Sequence, residues 1–142
     1  MTRTRSPDVL LAFDFGFRRI GIASGNLHTR TASPVATLTV RGELPWAELD
    51  RMIDDWLPGH LVVGLPDPVL ATAVAERAQE FIIALRGRYD LPVESVDESF
   101  TSRAASSELK EARHAGRLTT RVQKASIDSY AACLIAEQWM HT

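Results

Sequence analysis

The chain has 142 residues, of which 45% are hydrophobic and 24% charged, and its formal net charge at pH 7 is −2. These values are typical of a soluble globular protein, and we expect residues 1–142 to form a single domain with its own core. The one cysteine, Cys133, excludes an internal disulfide and is typical of a protein from a reducing compartment. We find no apolar run of the length of a membrane span or signal peptide, and therefore expect a cytoplasmic protein.

The charges are unevenly distributed along the sequence. Lysine and arginine outnumber the acids in residues 1–41 and 99–142, whereas acids predominate in residues 42–98. The two basic segments also contain Asp14 and Asp128. A basic rim around acidic positions suits a polyanion held over a metal, although ordinary solvated surface charge explains the distribution equally well.

The first third of the chain predicts an antiparallel meander of three strands. Val9–Asp14 is a continuous apolar run, and Ile20–Ser24 forms its partner after a short turn. Gly25-Asn26 is a turn signal, and a third strand follows over Ala36–Val40.

The middle of the chain alternates helices with strands. Pro45 suits the start of a helix that Pro58-Gly59 ends, and His60–Pro66 reads as a short buried strand. A second amphipathic helix extends over Ala71–Leu85, and Gly87 is predicted to cap it.

The last third predicts one more strand and two helices. Pro92–Val96 is the fifth strand, and helices are expected over Thr101–Glu111 and from about Ala125 to Met140. Strands separated by helices pair in parallel. The predicted architecture is therefore an α/β fold with a five-stranded mixed sheet, an antiparallel meander of three plus parallel strands, flanked by helices.

Asp14 needs a chemical explanation, because an ionised carboxylate at the end of a buried strand is costly unless a cation or hydrogen-bond donors compensate it. Asp97 and Glu98 follow the fifth strand at the same edge of the sheet. Asp128 falls at the rim of the apolar stripe of the last helix. Converging carboxylates require cations, and their hard oxygens suit Mg²⁺ or Mn²⁺. A pair of such ions can activate water for phosphodiester hydrolysis.

Each acid also has a purely structural explanation. Asp14 could accept hydrogen bonds from the turn amides near Gly16. Asp128 could be an ordinary acid in the first turn of a helix, and Asp97 or Glu98 could cap the next helix.

Five ordered motifs resemble those of the YqgF/RuvX family, and together they cover nearly the whole chain. They are Asp14-Phe15-Gly16, Ile20-Gly21, Val63-Gly64-Leu65-Pro66, Asp97-Glu98 with Thr101, and Asp128-Ser129-Tyr130-Ala131-Ala132. Members of that family are described as Holliday junction resolvases or pre-16S rRNA nucleases with a ribonuclease-H-like fold. The resemblance implies a metal-dependent nuclease that uses Mg²⁺ or Mn²⁺, with two ions expected.

The implied ligands are Asp14, Asp128 and an acid of the Asp97-Glu98 pair. We favour Glu98 as the third ligand because its longer side chain reaches further, with Asp97 as a helper or a helix cap. Two departures from the family pattern stand out. Ser99 replaces the usual arginine after the acid pair, for which Arg103 is a substitute, and the loop after Pro66 is short.

Basic residues near the acids are candidates for binding substrate. Arg18 and Arg19, in the turn after Asp14, could hold phosphates or neutralise the acids. Arg103 and a basic stretch before the last helix could contact a nucleic-acid backbone without sequence specificity, although a plain exposed loop would look the same. The members of that stretch in the candidate site are Arg113, Arg117, Arg121 and Lys124.

The leading hypothesis is an endonuclease that acts on structured nucleic acid, with 5′-end processing of pre-16S rRNA as its role. The expected partners are precursor rRNA or branched DNA and ribosomal particles. The alternatives are a Holliday junction resolvase, which needs a dimer, or a non-catalytic nucleic-acid-binding module, so both monomer and homodimer stay open. The Asp-x-Gly turn also resembles that of actin-like and sugar-kinase-like ATPases, but 142 residues leave no room for their second lobe.

Overall fold

The computed structural model describes residues 4–97 and 120–141 of the chain. The described elements, in chain order, are β1 (Ser6–Phe15), β2 (Arg19–Asn26), β3 (Thr31–Thr39), α1 (Trp46–Trp56), β4 (Pro58–Leu65), α2 (Thr72–Tyr89), β5 (Val93–Asp97) and α3 (Thr120–Met140). The predicted helix over 101–111 lies outside the described residues. Within the two described stretches, no helix is long and apolar enough to cross a bilayer.

The strands form one sheet in the order β3-β2-β1-β4-β5. The first three strands pair antiparallel, whereas β4 and β5 are added in parallel beside β1. This arrangement confirms the predicted five-stranded mixed sheet, and it follows from the connections. Short turns join β1 to β2 and β2 to β3, whereas whole helices separate β4 and β5 from the strands before them.

Helices cover both faces of the sheet. Successive side chains of β1 point alternately to one face and to the other. Leu11 and Phe13 pack among side chains of α1 and α2, where Phe13 meets Phe81 edge-on with ring centroids 5.6 Å apart. Leu10 and Ala12 pack against α3 on the other face. Because successive side chains of a strand point to opposite faces, Asp14 lies on the α3 face.

Two helix ends differ from prediction because residues other than glycine adopt the left-handed conformation. Gly87 lies inside α2 rather than capping it, and the helix continues until Asp90, whose φ is 52°. Helix α1 ends at Trp56, its C-cap is Leu57 with a φ of 47°, and Pro58 already belongs to β4. Glycine favours the left-handed conformation but is not required for it, so helix ends predicted from glycine positions alone were wrong.

The second turn and the start of the last helix also differ from prediction. Gly25 and Asn26 are the last residues of β2, and the turn follows them. The Asn26 side-chain oxygen accepts hydrogen bonds from the amides of His28 and Thr29, which shapes that turn. Strand β3 accordingly begins earlier than predicted, at Thr31, and α3 begins at Thr120 rather than near Ala125.

Candidate active site

Asp14 lies near the carboxyl end of β1 between two glycines. In the sheet register it pairs with Gly21 of β2 on one side and with Gly64 of β4 on the other. Residues in one row of a sheet present their side chains to the same face, so neither neighbour places a side chain beside the carboxylate. Asp14 is half-buried. Neither strand neighbour therefore adds a side chain next to an acid that is already partly removed from water.

Helix α3 packs on Gly21 through its own backbone. A Cβ atom added to Gly21 would lie 2.0 Å from the main-chain oxygen of Asp128 and 2.9 Å from the amide nitrogen of Ser129. These distances are far below van der Waals contact, so α3 can pack here only against a glycine. The main chain of Asp128 thus lies directly over the residue that pairs with Asp14.

The fit continues along the helix. The four residue steps of α3 from Asp128 to Ala132 rise by about 6 Å, which matches the length of about 6.6 Å from Gly21 to Ala23 on β2. Ala132 and Ala23 pack together in one buried cluster. The small residues keep α3 close to the sheet, and this register holds Asp128 at the same end as Asp14.

Arg19, the first residue of β2, neutralises one of the two acids. Its Nε donates a hydrogen bond of 2.6 Å to Oδ2 of Asp128, and the side chains of the two residues are 43% and 20% exposed. Because solvent screens a pair this accessible, its contribution to stability is below about 1 kcal/mol. Arg18 is exposed in the same turn, and its carbonyl oxygen accepts a hydrogen bond from the amide of Val40.

Strand β5 ends at this edge of the sheet with Asp97, but Asp97 is turned away from the site. Val96 lies in the same row as Gly64 and therefore as Asp14, across about 10 Å of sheet. Asp97, one residue further on, belongs to the row of Leu65 on the face covered by α1 and α2. Asp97 and Asp14 therefore lie on opposite faces.

The described residues include only part of the predicted site. Glu98, Arg103, Arg113 and Arg117 lie outside the described residues, and within 4–97 and 120–141 no group of three metal-binding side chains is close enough to share an ion. The first turns of α3 include the backbone of Arg121 and Lys124, which we expected in a loop. After Gly116 the sequence holds no glycine or proline that would delay the start of this helix.

Cys133 is a structural residue of α3 near the site. It is buried against Ala23, and burial raises the pKa of its thiol to about 12, with a smaller contribution from Glu137. A thiol with this pKa is not a nucleophile at neutral pH. Cys133 therefore supplies no nucleophile to the candidate site.

Sequence reasoning missed the structural role of Gly21. We identified it only as part of a motif, although a glycine inside a strand is itself a signal of close backbone approach. What the sequence could not show is which element approaches, because Gly21 and Asp128 are distant along the chain and meet only when α3 packs on the sheet.

A five-stranded mixed sheet with an acid near the end of its first strand and another on its final helix defines the ribonuclease-H-like class. Two solved structures share this fold. T. thermophilus RuvC in complex with a Holliday junction substrate superposes with a TM-score of 0.56 at 14% identity, covering 94% of this chain and 96% of that one. The fowlpox virus resolvase in complex with Holliday junction DNA gives a TM-score of 0.54 at 10% identity, covering 94% and 97%.

Sequence comparison assigns the chain to a family within this class. The model of the RuvX family, described as Holliday junction resolvase, matches residues 8–142, and the chain belongs to this family. A protein of Francisella tularensis subsp. novicida named "Putative pre-16S rRNA nuclease" is 35% identical over 134 residues, covering 92% of this chain and 95% of its own length. A Francisella philomiragia protein of the same name is 34% identical over the same coverage.

Proposed function

We propose that this chain is a metal-dependent endonuclease that hydrolyses phosphodiester bonds in structured RNA, and that its natural substrate is the 5′ end of precursor 16S rRNA in the cytoplasm. The observation that carries the chemistry is the position of Asp128 over Gly21, next to Asp14. The substrate is inferred from relatives that carry the name of pre-16S rRNA nuclease along nearly the whole chain.

The residues at this edge fit a divalent cation. Asp14 and Asp128 are half-buried acids, and the main chain of Asp128 lies over Gly21, the strand partner of Asp14. Charges of the same sign at neighbouring positions favour a bound cation. Hard oxygen donors of this kind are those that Mg²⁺ and Mn²⁺ take. We propose that Asp14 and Asp128 hold the metal together with Glu98. Asp97, which lies on the opposite face, is left a supporting role.

When bound, two such ions would supply an activated water and stabilise the leaving oxygen. The chain itself positions the reaction. Gly64 places no side chain beside Asp14 on the β4 side, where a phosphate can approach, and α3 fixes the backbone of Asp128 on Gly21. Arg19 neutralises Asp128 and, being exposed, can also contact a substrate phosphate.

The test compares two aspartates of the same strand. Asp14→Asn should lower cleavage of a pre-16S rRNA fragment in Mn²⁺ or Mg²⁺ by about a thousandfold, because a catalytic metal contributes several kcal/mol. It should also weaken Mn²⁺ binding in calorimetry. Asp8→Asn, at the exposed far end of β1, is the matched control and should cleave like the wild type. Equal cleavage by Asp14→Asn and Asp8→Asn would refute the site.

A second candidate function is Holliday junction resolution, which the description of the family favours. Paired cuts in a four-way DNA junction, made faster than cuts in the rRNA precursor, would support it. Binding of either nucleic acid that persists in EDTA, with no cleavage in any metal, would instead indicate a non-catalytic binding module. Sedimentation with assembling small ribosomal subunits would test the expected ribosomal partner.

A further inference from the structure

A small pocket lies beside the carboxyl end of β1, on the face of the sheet opposite Asp14. Its volume is about 160 Å³, and its lining includes Phe15, Phe17, Val40, Gly42, Leu44 and Arg77. Phe15 is the last residue of β1 and faces α2, with its ring 5.2 Å from that of Phe81. The pocket therefore opens at the same end of the strand as the carboxylates, on the other side of the turn between β1 and β2.

The lining combines aromatic and aliphatic walls with a positive charge. Phe17 is 48% exposed, so burial in the core does not account for a phenylalanine at this position. Its turn is held to the end of β3 by the hydrogen bond from the Val40 amide to the Arg18 carbonyl oxygen. Gly42, with a φ of 79°, forms the tight turn of the opposite wall. Among the described lining residues Arg77 carries the only formal charge.

We propose that this pocket binds one unpaired nucleobase of the nucleic acid substrate, with the base stacked on Phe17 and Arg77 facing an adjacent phosphate. The inference rests on the proposed nuclease function and specifies its substrate as one with an unpaired nucleotide near the cut.

The size and chemistry of the pocket favour this occupant. Ligand sites for larger molecules start at about 300 Å³, so this pocket has room for a single flat ring system. Aromatic side chains stack on any base, and an arginine adds attraction to the phosphate. A base inside a duplex has both faces covered by its neighbours, so only an unstacked base can enter a pocket of this kind.

The position of the pocket fits a strand that also reaches the carboxylates. Phe17 is three residues from Asp14, so their Cα atoms are separated by at most about 11 Å. That span corresponds to about three nucleotides at a rise of about 3.4 Å each. The pocket can therefore hold a base a few nucleotides from the phosphate at the carboxylates.

The experiment compares two RNA hairpins, one with a six-nucleotide single-stranded tail and one with blunt ends, bound to the full chain in EDTA. Phe17→Ala should weaken binding of the tailed hairpin by about 5- to 150-fold, the usual loss when a base-stacking aromatic is removed, and leave blunt-hairpin binding unchanged. Phe17→Trp should restore tailed binding. Ile83→Ala, which removes an apolar side chain that is also exposed but lies outside the pocket, is the matched control and should bind like the wild type.

A direct readout uses 2-aminopurine in the tail, whose fluorescence should be quenched by the wild type and not by Phe17→Ala. Arg77→Gln should weaken tailed binding and reduce its salt dependence by about one counterion. The same hairpins made of DNA show whether the pocket takes a base from RNA, from DNA or from both. Tail-dependent loss in either nucleic acid supports the pocket. The proposed base pocket is refuted if Phe17→Ala affects tailed and blunt hairpins equally or affects neither. It is also refuted if the wild type binds neither hairpin.

Because binding is measured without metal, the pocket and the nuclease can fail separately. A wild type that shows Phe17-dependent tail binding but never cleaves would refute the proposed function and keep the pocket. Cleavage with tail binding indifferent to Phe17 would refute the pocket and keep the function.

Discussion

Replacement of Gly21 by alanine tests the contact that places Asp128 beside Asp14. The new Cβ would lie 2.0 Å from the carbonyl oxygen of Asp128, whereas ordinary contact begins near 3.5 Å. The obstacle is backbone, so no side-chain rotation relieves it and α3 must retreat by about 1.5 Å. Overpacking of this kind costs about 1–3 kcal/mol, and we expect a value near the upper end.

The matched control is Gly87→Ala in α2. A Cβ there meets nothing within 4 Å, and alanine favours a helix interior over glycine by about 0.5–1 kcal/mol. Urea unfolding should therefore move in opposite directions for the two variants. Gly21→Ala should lower the midpoint by about 1–2 M, whereas Gly87→Ala should raise it slightly.

The same substitution also links stability to the site. A displacement of about 1 Å can cost a catalytic arrangement about a hundredfold in rate, so Gly21→Ala should lose both Mn²⁺ affinity and cleavage. An unchanged urea midpoint would show that α3 does not pack on Gly21. Equal destabilisation by both alanines would show that the loss does not come from this contact.

Three further outcomes are expected. A hydrogen bond from Arg88 lowers the pKa of the Asp50 carboxyl to about 2. The stability that this carboxylate contributes is therefore present above pH 4 and is lost as the pH falls from 4 towards 2. The difference in unfolding free energy between wild type and Asp50→Asn should accordingly shrink over that window, and a constant difference would contradict the assignment. Cys133 should react with iodoacetamide at pH 8 about a thousandfold more slowly in the native protein than in urea; similar rates would show that the thiol is not buried as described. Arg19→Gln should lower stability by less than about 1 kcal/mol through loss of its pair with Asp128, and this difference should disappear in 1 M salt, so a salt-independent loss would point to packing instead.

Much of the fold could be predicted from local pattern. Apolar runs and amphipathic stripes indicated all eight described elements, and the helices between later strands indicated parallel pairing. The predictions failed at element ends, where the chain uses Leu57 and Asp90 in left-handed conformations rather than Gly59 and Gly87. Such residues carry no strong sequence signal, because the surrounding structure imposes their backbone angles.

The candidate site was predicted in part. Asp14 was recognisable because a carboxylate in a buried strand is costly. Asp128 was recognisable because it lies at the rim of the apolar stripe of the last helix and begins a family motif. Asp97 lies on the face opposite Asp14 because of the pairing register of β5. A shift of one residue in that register would move every side chain of the strand to the other face of the sheet. That register is set by packing against β4 and cannot be read from the residues of β5 alone.

The sequence by itself determined the order of strands and helices, hence the mixed sheet, and it supplied the acids that chemistry at a metal would need. The tertiary structure decided which of those residues meet. The backbone of Asp128 lies next to the strand partner of Asp14 because α3 packs on Gly21. Phe17 shares a pocket with Arg77 because α2 packs on the sheet face that carries Phe15. These contacts join residues far apart in the chain, so they depend on how helices pack on the sheet and not on local propensity.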